Sequence, residues 1–247
     1  MDRLLYISTL GASHIEKAQT VHAHNLANVS TTGFRAEFAQ AQSRWVDTPD
    51  GYPARVYGIA ENPGTDLSQG VKLHTGRDLD IAVEGSGFLT VELPDGSEAY
   101  TRAGDFQQDS AGRLLSREGF PVMGEGGPIA LPPYTKIFVG GDGSLTVQPE
   151  GQGPETLVQV DRLKLVDPPA AEIVRDPSGL FKRSDNAAEP ASPDVQVVSG
   201  FLESSNVNAV SELTEIMSLA RQFELEVRMM RTAETLDEAA TSLVQVN

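Results

Sequence analysis

Paired carboxylates, glycine-rich turns and histidines are the residues of this chain whose types and spacing could support chemistry. Asp78, Asp80 and Glu84, and again Asp105 and Asp109, lie close enough in sequence to act as the acid–base pair of a glycosidase. With 35 acidic residues in 247, such proximity is expected by chance, and the surrounding sequence lacks aromatic platforms for sugars. Gly85-Ser86-Gly87 has part of the composition of a phosphate-cradling loop, but no Lys-Ser/Thr completes it and strand-forming residues follow. It reads as a tight turn. Gly140-Gly141-Asp142-Gly143 lacks the other acidic ligands and the closing glutamate of an EF-hand loop, and it too reads as a turn. No Gly-x-Ser-x-Gly elbow is present. The four histidines are His14, His22, His24 and His74. On a helix, His22 and His24 point about 200° apart and cannot hold one metal. The absence of cysteine excludes disulfides and thiolate metal sites. The residues therefore predict no catalytic site, no cofactor and no metal.

Composition narrows the partners. The net charge is −16, of which residues 1–36 carry +1 and residues 208–247 carry −4, leaving −13 on the middle. Such a field repels nucleic acid and anionic lipid. No run of about 18 apolar residues exists, so no membrane insertion is expected. The N-terminal apolar stretch is broken by Ser8, Thr9, Ser13 and His14, and no small-residue cleavage site follows, so no cleaved signal peptide is expected.

Long helices must account for the two ends. From Asn208 to Val246 there is no glycine or proline. Val210, Leu213, Ile216, Ala220, Phe223, Val227, Met230, Ala233, Leu236, Ala240 and Val244 recur at steps of three or four, which is helical spacing. Asn208 is a suitable N-cap, and Glu212 and Glu215 suit the positive end of the helix dipole. Leu4, Ile7, Gly11, Ile15, Ala18, His22, Asn25 and Val29 form a second, weaker row. This first helix should stop between Asn25 and Phe34, where Asn28 and Gly33 tolerate left-handed backbone. Every glycine and proline except Gly11 lies between Gly33 and Gly200. Periodicity alone fits two helices lying on one ordinary domain. A sharper reading pairs them as a coiled coil projecting from that domain.

The middle is punctuated by turns. Residues 37–70 read as an irregular connector, with short strands around Arg55–Ile59. From Val71 the period becomes two, with Leu79, Ile81 and Val83 alternating before Phe88–Leu93. Asp95-Gly96 is a hairpin signal, and further turns separate short apolar runs up to Leu163–Val166. The spacing predicts an antiparallel β domain over 71–200, in which the Pro-, Ala- and Ser-rich stretch Asp167–Ser199 is largely a surface loop. The expected fold class is α+β: paired long N- and C-terminal helices, coiled-coil-like, flanking a central, mostly antiparallel β domain.

The run Asn25-Leu26-Ala27-Asn28-Val29-Ser30-Thr31-Thr32-Gly33-Phe34 resembles the N-terminal signature of the bacterial flagellar rod and hook proteins. Met1-Asp2, Tyr6, Tyr100-Thr101-Arg102, Gly124-Glu125-Gly126-Gly127-Pro128-Ile129, Arg162-Leu163-Lys164-Leu165-Val166 and Gly200-Phe201-Leu202-Glu203-Ser204-Ser205-Asn206-Val207 look like the proximal-rod branch of that family, with the distal-rod branch a close second. The resemblance extends over nearly the whole chain.

The resemblance implies a structural subunit of the flagellar basal-body rod that polymerises through its terminal helices into a torque-transmitting shaft. It would contact copies of itself and other proximal and distal rod proteins. It would pass through the flagellar type III export apparatus to the periplasmic rod without a cleaved signal peptide. Expected segments are 1–36 and 201–247 as rod-core helices, 37–70 as connector and 71–200 as β domain. Spacing and resemblance together nominate Leu213, Ile216, Ala220, Phe223, Val227 and Met230 as assembly positions, with Ile7, Ile15 and Ala18 opposite, and Asn25, Asn28 and Gly33 shaping the end of the first helix. The alternative from another class is a periplasmic peptidoglycan-cleaving enzyme with helical arms.

Overall fold

Asp2–Ala27 forms a 26-residue helix, α1, and Ala209–Gln245 a 37-residue helix, α2, in a computed structural model describing residues 2–39, 41–45, 56–60, 64–151, 156–176 and 178–245. Arg55, and the side chains of Leu4, Ala240 and Val244 from the expected helical rows, lie outside the described set. At α2, the backbone N–H groups of Val210 and Ser211 donate to Asn208 Oδ1 at 3.0 and 3.2 Å, which supplies a cap for two otherwise orphaned donors. At the end of α1, Asn28, which tolerates left-handed backbone, does not adopt it. Its backbone N–H and its Nδ2 both donate to the His24 carbonyl, at 3.2 and 2.9 Å, and satisfy an acceptor of the last turn. Gly33 is the left-handed residue, at φ +68°.

Packing divides the chain into two units. The first gathers Met1–Val29, Ala36–Asp66 and Val207–Asn247. In it α1 and α2 run antiparallel, with His22 opposite Glu212, Gly11 opposite Glu226 and Thr9 opposite Met230. Two short antiparallel pairs accompany them, Glu37–Phe38 with Gly64–Thr65 and Ala41–Trp45 with Val56–Ala60.

The helices do not pair as the expected coiled coil. A coiled coil inserts large apolar knobs from a repeating seam into holes of the facing helix. Among the described residues, those buried along α1 and α2 are instead Ser8, Ala12, Asn25 and Ala233, while Ile7 is 62% and Leu213 52% exposed. Small and polar side chains, with the Glu226 carboxylate standing over Gly11, bring the helices together without a knob-into-hole seam. The fold is two helices flanking a β-rich body, α+β only in that broad sense.

The second unit holds Ser30–Arg35 and Leu67–Asn206, and its described strand pairs are all antiparallel. A five-stranded sheet runs in the order Leu165–Val166, Phe88–Glu92, Glu98–Thr101, Phe181–Arg183, Ile173–Arg175. Asp95-Gly96 turns its hairpin, with Gly96 at φ +79°. A three-stranded sheet joins Tyr134–Val139, Ser144–Pro149 and Val158–Arg162. Ile81–Glu84, expected to alternate, buries Ile81, Ala82 and Val83 in succession, because both faces of that strand are covered. The main core collects Leu89, Val91, Phe106, Leu114 and Val122 around it.

Within this unit the segment that follows α1 and the segment that precedes α2 meet a buried ionic group. Glu203 takes Arg35 Nη2 at 2.8 Å on one carboxylate oxygen and Arg102 Nη1 at 3.2 Å on the other. Gly70 N–H donates to the first oxygen at 2.8 Å, and the Gly33 N–H donates to the Glu203 carbonyl at 2.8 Å. Burial pushes the Arg102 guanidinium below its ordinary value, and the Glu203 charge opposes that shift. Arg175 caps the neighbouring aromatic layer, 4.4 Å over Phe34 and 5.7 Å over Phe181.

Candidate assembly surface

The first unit is built around a node near the end of α1. Asn25 is 1% exposed, and its carboxamide makes a two-way bridge to one residue: Nδ2 donates to the Glu37 carbonyl at 2.7 Å and Oδ1 accepts the Glu37 N–H at 2.8 Å. Nδ2 also lies 3.3 Å from Glu212 Oε1, whose other oxygen sits 2.5 Å from His22 Nδ1. His24 Nδ1 is 3.1 Å from Glu37 Oε2. The two histidines that cannot share a metal therefore each meet a different carboxylate, and together with Asn25 they tie α1 to α2 and to the strand after it.

Away from that node the helix pair is apolar but thinly covered. Ile15, Ala18, Ile216, Ala220, Val227 and Met230 are half-buried, whereas Ile7, Leu213 and Phe223 are exposed, Phe223 at 38%. Asn28 is half-buried and caps α1, and Gly33 is buried in the second unit. The nominated positions thus divide between those that α1 and α2 cover for each other and those left open. The recurring row of α2 omits Met217, Leu225 and Met229, which are exposed like Val210 and Leu236. The four-residue step from Leu213 to Met217, and from Leu225 to Met229, is their signal in the sequence. The buried trio Arg35, Arg102 and Glu203 leaves no such signal, because its members are 67 and 101 residues apart.

Toward the start of α1 a groove of about 830 Å³ lies between the two helices, lined by the apolar Leu5, Val227 and Met230 and by the acidic Glu234, Asp237 and Glu238. Four of the five carboxylates with catalytic spacing stand against cations. Arg77 holds Asp80 at 2.6 Å, Lys72 meets Glu84 at 3.2 Å, Arg113 meets Asp109 at 2.8 Å, and Arg117 stands 3.8 Å from Asp105. No helix of the described residues is long and apolar enough to cross a membrane.

Two family models and several relatives match this chain. Residues 198–243 match the family described as flagellar basal body rod FlgEFG protein C-terminal, and residues 82–152 match the flagellar hook protein FlgE/F/G D1 domain. The flagellar basal-body rod protein FlgF of Escherichia coli (strain K12) is 36% identical over 100% of both chains. FlgF of Caulobacter vibrioides is 31% identical, also over 100% of both. The flagellar basal-body rod protein FlgG of Buchnera aphidicola from Acyrthosiphon pisum is 29% identical over 97% of this chain and 98% of its own. Identity of 31% and 36% with FlgF proteins over the full length of both chains establishes that this chain belongs to the FlgF family of flagellar basal-body rod proteins.

Proposed function

We propose that this structural rod protein polymerises through α1 and α2 with copies of itself and with other proximal and distal rod proteins, forming the torque-transmitting shaft. The observation that carries the reading is the exposure of Leu5, Ile7, Leu213, Met217 and Leu225 on a helix pair that covers only part of its apolar surface. Apolar burial at about 25 cal/mol per Å², repeated along helices of ~1.5 Å rise per residue, supplies a long and stiff contact. In this reading residues 1–36 and 201–247 are the rod-core segments, 37–70 the connector and 71–200 the β domain. The chain works in the periplasmic basal body, reaches it through the flagellar type III apparatus, and performs no catalysis.

The test is Phe223→Asp combined with Val227→Asp, in cells lacking the native chain. The expected result is loss of the subunit from isolated basal bodies and loss of swimming, with a soluble monomer that still melts cooperatively. Normal incorporation and swimming refute helix-mediated assembly.

A further inference from the structure

We infer that the outer stripe of α2 in one copy seats in the groove between α1 and α2 of a second copy. The inference rests on helix-mediated polymerisation and specifies which two surfaces meet. At about 100° per residue, Ile216, Ala220, Val227 and Met230 share one side of α2, and Met217, Leu225, Met229 and Leu236 lie on the other. The first set is half-buried, and the second stands 42–56% exposed. A helix apolar on two opposite sides has one covered side and one side still in water.

Charge identifies the occupant. Arg221 and Arg228 fall within the outer stripe, spaced among Met217, Leu225 and Met229, and both are exposed. Glu224 stands at the stripe's margin. The groove carries the opposite sign: Glu234, Asp237 and Glu238 line it, against a single Arg231, around the apolar Leu5, Val227 and Met230. An apolar, basic stripe and an apolar, acidic groove thus occur on one chain, on different faces of the same unit. Charges arranged in this way steer docking and fix register, and apolar contact supplies the affinity. Because stripe and groove are different surfaces, the contact is heterologous: each copy offers a stripe to one neighbour and a groove to the other. Such contacts extend as an open helix, the geometry a shaft requires.

The chain has no cysteine, so introduced thiols report one contact without background. Leu225→Cys on the stripe and Leu5→Cys in the groove are carried on two separate full-length copies, co-expressed in motile cells whose basal bodies are isolated and oxidised. The expected product is a disulfide dimer holding one copy of each variant, at least roughly tenfold above either variant expressed alone, since the bond needs Cα atoms within about 7 Å. Equal dimer from either variant alone, linkage to another rod protein in place of the second copy, or no linkage with both variants present in basal bodies overturns the seam and leaves helix-mediated assembly standing. Absence of the cysteine-free chain from basal bodies overturns both. A charge exchange gives a second reading. Arg221→Glu with Arg228→Glu lowers incorporation by roughly tenfold, as does Glu234→Lys with Asp237→Lys, and all four together restore it to within about twofold. Failure of the combined variant to recover, with its monomer folded, overturns the seam.

Discussion

The guanidinium of Arg35 lies 2.8 Å from the carboxylate of Glu203, and both side chains are withdrawn from water, 1% exposed as residues. Arg102 closes on the other oxygen, so two buried cations share one anion. Breaking such a group costs more than the group contributes, because an unpaired charge is left in a poorly solvated place. Glu203→Gln is expected to lower stability by about 3–5 kcal/mol. Replacing all three together, Arg35→Met, Arg102→Met and Glu203→Leu, is expected to cost less than that single change. Denaturant midpoints of the two variants against wild type decide the order.

Two glycines answer a methyl group differently. At Gly11 an added Cβ would stand 3.0 Å from Glu226 Oε1, the far end of a flexible side chain whose Oε2 is buried with no hydrogen-bond partner among the described residues. Glu226 can swing toward water, and alanine is favoured over glycine inside a helix by about 1 kcal/mol. Gly11→Ala is therefore expected to raise the melting temperature slightly. At Gly33 the same atom would strike the backbone of Arg102 and Ala103, at a left-handed φ of +68°. Gly33→Ala is expected to destabilise by more than about 2 kcal/mol. Thermal scans of the pair, measured side by side, check both signs.

Asn25 satisfies the donor and the acceptor of Glu37 at once. Asn25→Ala removes both bonds from a buried position, an expected loss of about 2–3 kcal/mol. The effect should be local: amide exchange at Glu37 should accelerate, with the hairpin amides of Phe88–Thr101 unchanged. Hydrogen exchange read by NMR separates the two regions.

Asp105 carries a pH signature. Burial raises its carboxyl above the ordinary carboxylate range, with Glu118 and Asp80 adding to the shift and Arg117 opposing it. The folded chain therefore holds this proton to higher pH than the unfolded chain. The contribution is favourable below the unfolded pKa and is lost as pH rises through the folded value. Asp105→Asn should raise the melting temperature at neutral pH, with the gain shrinking as pH falls toward about 4. Melting curves of both proteins across that range test the sign.

Much of the architecture is legible in residue order because it depends on local physics. A glycine- and proline-free run capped by Asn208 becomes α2 over Ala209–Gln245, and Asp95-Gly96 turns a hairpin. Left-handed backbone at Gly33 is also local, since only glycine adopts it at little cost. Asn28 shows the limit of such reasoning. Its side chain caps the His24 carbonyl, a choice between two ways of ending a helix that both suit asparagine.

The sequence by itself determined that this protein has two long helical ends, an antiparallel middle and an acidic surface, because periodicity, turn residues and charge act over a few neighbouring positions. Tertiary structure alone decided which side of each helix is covered. A helix carrying apolar residues on two sides has no internal preference between them, and the choice fell to the sides where Ser8, Ala12 and Ala233 are small enough to be buried. Tertiary structure also assembled Arg35, Arg102 and Glu203, whose attraction acts through space between distant parts of the chain and leaves no periodic trace.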